Sequence, residues 1–277
     1  MRRLRLIILV LLGFGLVGGV QAFRYFRFAR PIGEGPAGTS VARQPFARTW
    51  TDGNVLLLGV GDSVTAGFGV HSAYSYVGRL VENPPDEFSD LDGICLSAVL
   101  PDLGVQNIAV SGSTSLQHVE HLRERLDIQD PETLGLIVMT TGGNDLIHDY
   151  GRTPPREGAM YGATIEQAGP WIDNFRHRLD LLIDLIEARF PGGCHVFLAD
   201  IYDPSDAVGD PPSAGLPRWK DCLEIHGQYN AIIHACAAKR ANVHLVPMYA
   251  EFLGHGVHCT QFWRRHYRGK DPCYWYG

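Results

Sequence analysis

Val55-Leu56-Leu57-Leu58, running through Gly59-Val60 into Gly61-Asp62-Ser63-Val64-Thr65-Ala66-Gly67, is the stretch on which the reading turns. A short apolar run ending in a polar, Gly-bracketed turn has the form of a buried strand handing over to a helix. Four more runs of the same kind follow at Val105–Val110, Leu136–Thr140, His195–Ala199 and Val243–Val246. Helical patterns lie between them at Tyr74–Val81, Leu116–Leu126, Ile165–Phe190 and Trp219–Ala241. In the third, Trp171, Phe175, Leu179, Leu182 and Leu185 recur at the spacing of one helix face. Alternating strand and helix predicts an α/β protein with a parallel sheet and helices on both faces, its strands buried throughout. In such sheets ligands sit beyond the carboxyl ends of the strands.

Those strand ends carry three polar turns. The first is Gly61–Gly67, the second runs from Asn107 to Val110-Ser111-Gly112-Ser113, and the third is Thr141-Gly142-Gly143-Asn144-Asp145. A serine at a strand-to-helix turn presents its hydroxyl and its own N–H. A glycine N–H and an asparagine amide nearby supply two further donors, and together they outline a site for acyl transfer. Taken singly, Ser63 reads equally well as a helix cap, Gly112 as a turn glycine and Asn144 as an Asx turn. Asp145 is expected to order its loop by hydrogen bonds.

Composition narrows the field. The 277 residues are 45% hydrophobic and 19% charged, which suits a large globular core and excludes disorder and coiled coil. Lys+Arg 24 against Asp+Glu 30 gives a net charge of −6, so no basic excess points to nucleic acid. The third Gly of a dinucleotide fingerprint is replaced by Val64, and no Lys lies between Gly59 and Gly112 to make a P-loop. Thr65 stands where the α/β-hydrolase elbow GxSxG needs its second glycine.

The three turns, in this order, resemble the signature blocks of the SGNH (GDSL-type) serine hydrolases over roughly residues 53–250. The resemblance implies a three-layer, flavodoxin-like sandwich of about five parallel strands. It implies Ser63 as nucleophile, Gly112 and Asn144 as oxyanion donors, and no metal or organic cofactor. The family's terminal Asp-x-x-His-Pro block is not intact. His255-Gly256-Val257-His258-Cys259 matches it with His255 in the place of the aspartate, and Lys270-Asp271-Pro272-Cys273-Tyr274 has the aspartate but not the histidine. Three readings stay open: His258 is the base with a displaced or absent acid, His266 or another histidine is the base, or the terminal block is truncated or degenerate. His258 is preferred, and with His255 in the aspartate's place activity is expected to be weak unless another acid such as Asp271 folds back to it.

Met1-Arg2-Arg3-Leu4-Arg5 and the apolar run Leu6–Val20 have the form of a secretory leader, with Val20-Gln21-Ala22 offering a cleavage site. Arg24, Arg27 and Arg30 among aromatics suit instead an uncleaved interfacial anchor. Residues 1–22 are therefore expected to be signal peptide or membrane anchor, 23–50 a basic Gly/Pro-containing tether, and 51–277 the hydrolase domain. Either leader places the folded part outside the cytoplasm. Six cysteines permit disulfides there, with Cys259–Cys273 the expected local pair, and none has the spacing of a zinc site. Residues Asp149–Trp171 read as a substrate-facing flap or equally as a surface excursion, and the aromatics from Phe262 to Tyr276 as a surface for sugar rings, the border of an acyl pocket or a packed terminal segment. The expected function is an exported carboxylic-ester hydrolase acting on a small-molecule or glycan ester. The rival is a non-catalytic module of the same fold that binds a carbohydrate or an envelope partner.

Overall fold

The computed structural model describes residues 2–33 and 41–276. Part of the expected tether, residues 34–40, lies outside the described residues. The elements follow in the order α1 (Arg2–Phe28), β1 (Val55–Val60), α2 (Ser63–Ala66), α3 (Tyr76–Val81), β2 (Leu103–Asn107), α4 (Ser115–Arg125), β3 (Leu134–Met139), α5 (Gly143–Ile147), α6 (Ile165–Arg189), β4 (Cys194–Ala199), α7 (Cys222–Lys239), β5 (Val243–Val246) and α8 (Met248–Phe252). Two compact units result: one spans 38–202 and 216–251, the other gathers 1–37, 203–215 and 252–277.

The first unit is built on a five-stranded sheet in the order β2-β1-β3-β4-β5, with every pair parallel. Side chains alternate across β1 and β3, so Leu58, Val60, Ile137 and Met139 face one way and Leu57 and Val138 the other. The first set meets α4, α6 and α7 through Val119, Leu122, Phe175, Leu179, Ile183 and Tyr229. The second set meets α3 through Val77. This is the expected α/β architecture of parallel sheet and flanking helices.

Three sequence expectations change in detail. β2 begins at Leu103 and ends at Asn107, because its ladder with β1 runs from Val55↔Leu103 to Gly59↔Asn107. Ile108 and Val110 leave the ladder yet still donate to the Gly59 and Gly61 carbonyls. The expectation of strands buried throughout holds for β1 but not for β4, where His195 and Phe197 alternate outward and are exposed. The Asp149–Trp171 segment is packed down at 158–161, whereas 150–154 are exposed. Tyr161 is buried, its hydroxyl donates to the Pro217 carbonyl at 2.7 Å, and its ring meets Trp219. Within the same segment α6 starts at a capping box in which Thr164 and Gln167 satisfy each other's backbone N–H groups.

In the second unit the terminal segment and the 203–215 loop are tied by one carboxylate. Asp206, 2% exposed, accepts from the N–H groups of Gly254, Gly256 and His258 at 2.8–3.0 Å. Its backbone sits at φ 55°, a left-handed conformation costly for a non-glycine residue, and three N–H donors help to offset that cost. Cys259 and Cys273 are both free thiols, so the expected Cys259–Cys273 disulfide is not formed.

Candidate active site

Gly61 makes the site possible. Its φ of +138° turns the chain sharply at the end of β1, and a Cβ there would lie 2.2 Å from the Thr140 carbonyl oxygen. The next residue, Asp62, caps α2 by accepting from Val64 N–H at 3.1 Å. Thr140 donates to the same Asp62 oxygen at 2.9 Å. Because a carboxylate only accepts, the protons run one way, from Tyr76 to Thr65 to Thr140 to Asp62, with 2.8 Å between successive hydroxyls at the first two steps. Burial pushes the Asp62 carboxyl above its ordinary value, opposed by the Val64 and Thr140 bonds. Ser63 follows as the first residue of α2, half-buried.

The second and third turns close onto the first. Ser113 donates to the Gly61 carbonyl at 3.1 Å and to Val110 at 2.7 Å. With its proton used, Ser113 Oγ accepts from His118 Nε2–H at 2.9 Å, which leaves His118 Nδ1 to accept from Thr141 at 2.9 Å. Burial lowers the His118 pKa to about 3, and the imidazole kept neutral in this way is what lets Nδ1 accept while Nε2–H donates. Asn144 Nδ2 donates to the Ser113 carbonyl at 2.9 Å. One hydrogen of that amide is thereby committed and the other remains to donate. Gly112 is exposed at φ +82°, and a Cβ placed on it would meet nothing within 4 Å.

Ser63, Gly112 and Asn144 thus stand on three successive turns bonded to one another, at the carboxyl ends of β1, β2 and β3. Beneath them Asp145, fully buried, accepts from Ser115 N–H at 2.7 Å and from the Ser115 hydroxyl. Arg178 donates to Ser115 Oγ at 2.7 Å and to Glu157 at 2.8 Å, so Asp145 anchors the third turn to α4 and α6. Beside the Ser63 turn, Ala66, Tyr74, Val77, Val81, Pro84 and Val105 line an open, largely apolar groove.

The terminal block belongs to the other unit. His258 is 1% exposed and neither ring nitrogen has a hydrogen-bond partner. The carboxylate beside it is Asp210, with Oδ2 4.0 Å from Nε2. Burial above all, then the Arg264 charge, lowers the His258 pKa to about 4 against the pull of Asp210. His255, which replaces the family's aspartate, is stacked on Trp275 with centroids 3.5 Å apart, and its Nδ1 faces the Cys273 carbonyl. One face of Trp275 is thereby covered by the His255 imidazole. Asp271 interacts with Cys273, and one of its oxygens is buried without a partner. Sequence reasoning missed His118, Asp206 and Asp210, since nothing local to them signals their partners. Among the described residues no group of three or more His, Cys, Asp or Glu is placed to hold a metal ion.

The five-stranded, all-parallel sheet with flanking helices is the α/β arrangement of the SGNH hydrolases, and a serine, a glycine and an asparagine stand on three of its successive strand-end turns. The sequence profile of the GDSL-like lipase/acylhydrolase family matches residues 60–267, and the chain belongs to that family. It is an ester-bond hydrolase. Among solved structures it is similar to phospholipase A1 from Streptomyces albidoflavus NA297, at 19% identity over 81% of this chain and 92% of that one, with a TM-score of 0.47. It is similar also to an acetyl xylan esterase from Geobacillus stearothermophilus, at 19% identity over 72% and 78% of the two chains, with a TM-score of 0.45. The SGNH-hydrolase family esterase AlinE4 shares 17% identity over 79% and 89%, with a TM-score of 0.46. No curated protein sequence matches the chain.

Proposed function

We propose that this hydrolase works outside the cytoplasm, by attack of the Ser63 hydroxyl on a carboxylic ester. The observation that carries the reading is the bonding of the three turns through Ser113, which accepts Asn144 on its carbonyl and donates its hydroxyl to the Gly61 carbonyl. In the first step Ser63 Oγ bonds to the ester carbonyl carbon while a general base takes its proton, the sequence candidate for that base being His258. The carbonyl oxygen becomes an oxyanion held by the Ser63 and Gly112 N–H groups and the second Asn144 amide hydrogen. Collapse of that intermediate breaks the ester C–O bond, and the alcohol leaves with the proton from the imidazolium. Water then hydrolyses the acyl-enzyme by the same route in reverse. Asp210, not His255 or Asp271, is the carboxylate that stabilises the His258 imidazolium, because it alone is placed at that ring.

The full-length protein should hydrolyse short-chain p-nitrophenyl esters in the presence of EDTA and label with a fluorophosphonate, and Ser63→Ala should remove both activities. Turnover that survives Ser63→Ala would refute the nucleophile. Turnover without labelling would refute the acyl-enzyme. A folded protein that neither turns over esters nor labels would favour the binding-module reading.

A further inference from the structure

α1 is a single helix from Arg2 to Phe28, and its stretch Ile7–Phe28 has mean hydropathy 1.9 with none of it buried. Residues 7–22 at 1.5 Å per residue reach about 24 Å of a hydrocarbon core roughly 30 Å thick, and 23–28 add about 9 Å that carry the helix into the interface. Its apolar side chains point all round: Leu9, Leu12, Phe14 and Leu16 are each more than 60% exposed. A helix with no polar face has no side to turn to water.

The character changes at its last two turns. Phe23, Tyr25 and Phe28 are exposed aromatics, interleaved with Arg24 and Arg27 and followed by Arg30. The far end of the chain comes to the same place. Gln261 donates to the Phe26 carbonyl at 3.1 Å, and Tyr274 N–H to the Pro31 carbonyl at 2.8 Å. Phe262 and Trp263 meet Phe26 edge-on at 5.6 and 5.0 Å, yet remain 62% and 55% exposed. Packing on Phe26 does not explain that exposure. Residues 23–30 and 261–270 together hold seven cations, Arg24, Arg27, Arg30, Arg264, Arg265, Arg268 and Lys270, and no acid, in a chain whose net charge is −6.

We infer that Phe262 and Trp263 join Phe23, Tyr25 and Phe28 in an interfacial collar that seats this unit in the headgroup layer of an anionic phospholipid bilayer, with α1 retained as its membrane anchor. The aromatics suit the boundary between hydrocarbon and water, and the exposed cations Arg24, Arg265 and Lys270 are the ones available to lipid phosphates. The retained anchor rests on the length and apolar surface of α1, which runs unbroken through Ala22 into the collar residues. Two segments 235 residues apart at the Gln261–Phe26 bond thus make one lipid-facing surface.

The test uses the full chain reconstituted in vesicles, read by tryptophan emission, so it needs no ester turnover. In vesicles containing 30% phosphatidylglycerol, replacing phosphatidylcholine by its chain-brominated form should quench part of the emission, and Trp263→Phe should remove that quenched part. Vesicles without phosphatidylglycerol should quench less, and Arg265→Glu with Lys270→Glu should erase the difference. Near-UV circular dichroism confirms that each variant is folded. Quenching unchanged by Trp263→Phe would overturn the collar, as would no loss of emission with brominated lipid. Equal quenching with and without phosphatidylglycerol would overturn the anionic specificity, and an isolated protein that begins at Phe23 would overturn the retained anchor.

Discussion

Asn144 has two amide hydrogens, and the structure commits only one of them, to the Ser113 carbonyl. If the other holds the oxyanion, Asn144→Ala should lower kcat by roughly 10²–10³ with KM nearly unchanged. A raised KM at constant kcat would make Asn144 a ground-state contact instead. His258 poses the converse question, because a buried imidazole whose pKa is lowered to about 4 is neutral, and able to take a proton, down to that pH. The acidic limb of the kcat/KM profile should accordingly fall near pH 4 rather than near the ordinary histidine value of 6.5. Asp210 acts upward on that pKa, so Asp210→Asn should move the limb to still lower pH and lower kcat by roughly tenfold, less than the 10²–10⁴ attributed to a general base itself. Asp210 also meets Arg27 at 3.6 Å and Ser213. A purely structural role there would lower activity without moving the limb.

At the level of elements, the passage from β1 to α2 depends on one glycine. A Cβ on Gly61 would lie 2.2 Å from a backbone oxygen that has no room to retreat, at a φ of +138°. Gly61→Ala should therefore cost roughly 2–5 kcal/mol, from strain and overpacking together, measured as a shift in the urea midpoint. Gly112→Ala meets no atom and should cost only backbone strain, about 1 kcal/mol. A comparable loss at both positions would mean that the Gly61 turn is looser than its contacts imply. These two positions also show what local sequence carries. An apolar run that stops at a Gly-containing turn marks a strand end from a few adjacent residues, so Ser63, Gly112 and Asn144 could be read on the right turns and Val243–Val246 with its true bounds. β2 was read late because Ile108–Val110 are the more apolar residues, while the ladder is set by where β1 offers partners. Asp206 lies 52 residues from the His258 N–H it accepts, and nothing around Asp210 marks it as the neighbour of that ring. Such pairings follow from loop closure and burial, which no window of sequence reports.

Across the whole molecule, the buried titratable groups set how stability follows pH, and they pull in opposite directions. His118 is 1% exposed, with its pKa lowered to about 3 by burial, against 6.5 in the unfolded chain. Between those values the unfolded chain binds the extra proton. Stability from this residue is therefore complete above pH 6.5 and is lost as pH falls, at up to about 1.4 kcal/mol per pH unit. Asp62 and Asp145 are raised by burial above 3.8, so the folded state holds their protons longer. Their contribution is present at low pH and declines as pH rises through their folded values, opposing the histidine in the acidic range. A single stability curve would mix these effects, but the difference between wild type and His118→Gln isolates one of them. A glutamine side chain cannot take up the proton, so the variant should lack the histidine's slope. The gap between the two proteins should narrow steadily as pH falls from about 6.5 to about 4.5 and stay constant above about 7. Urea unfolding followed through the buried Trp219 measures it, and parallel curves over that range would show that His118 ionises in the folded protein as it does in the unfolded chain.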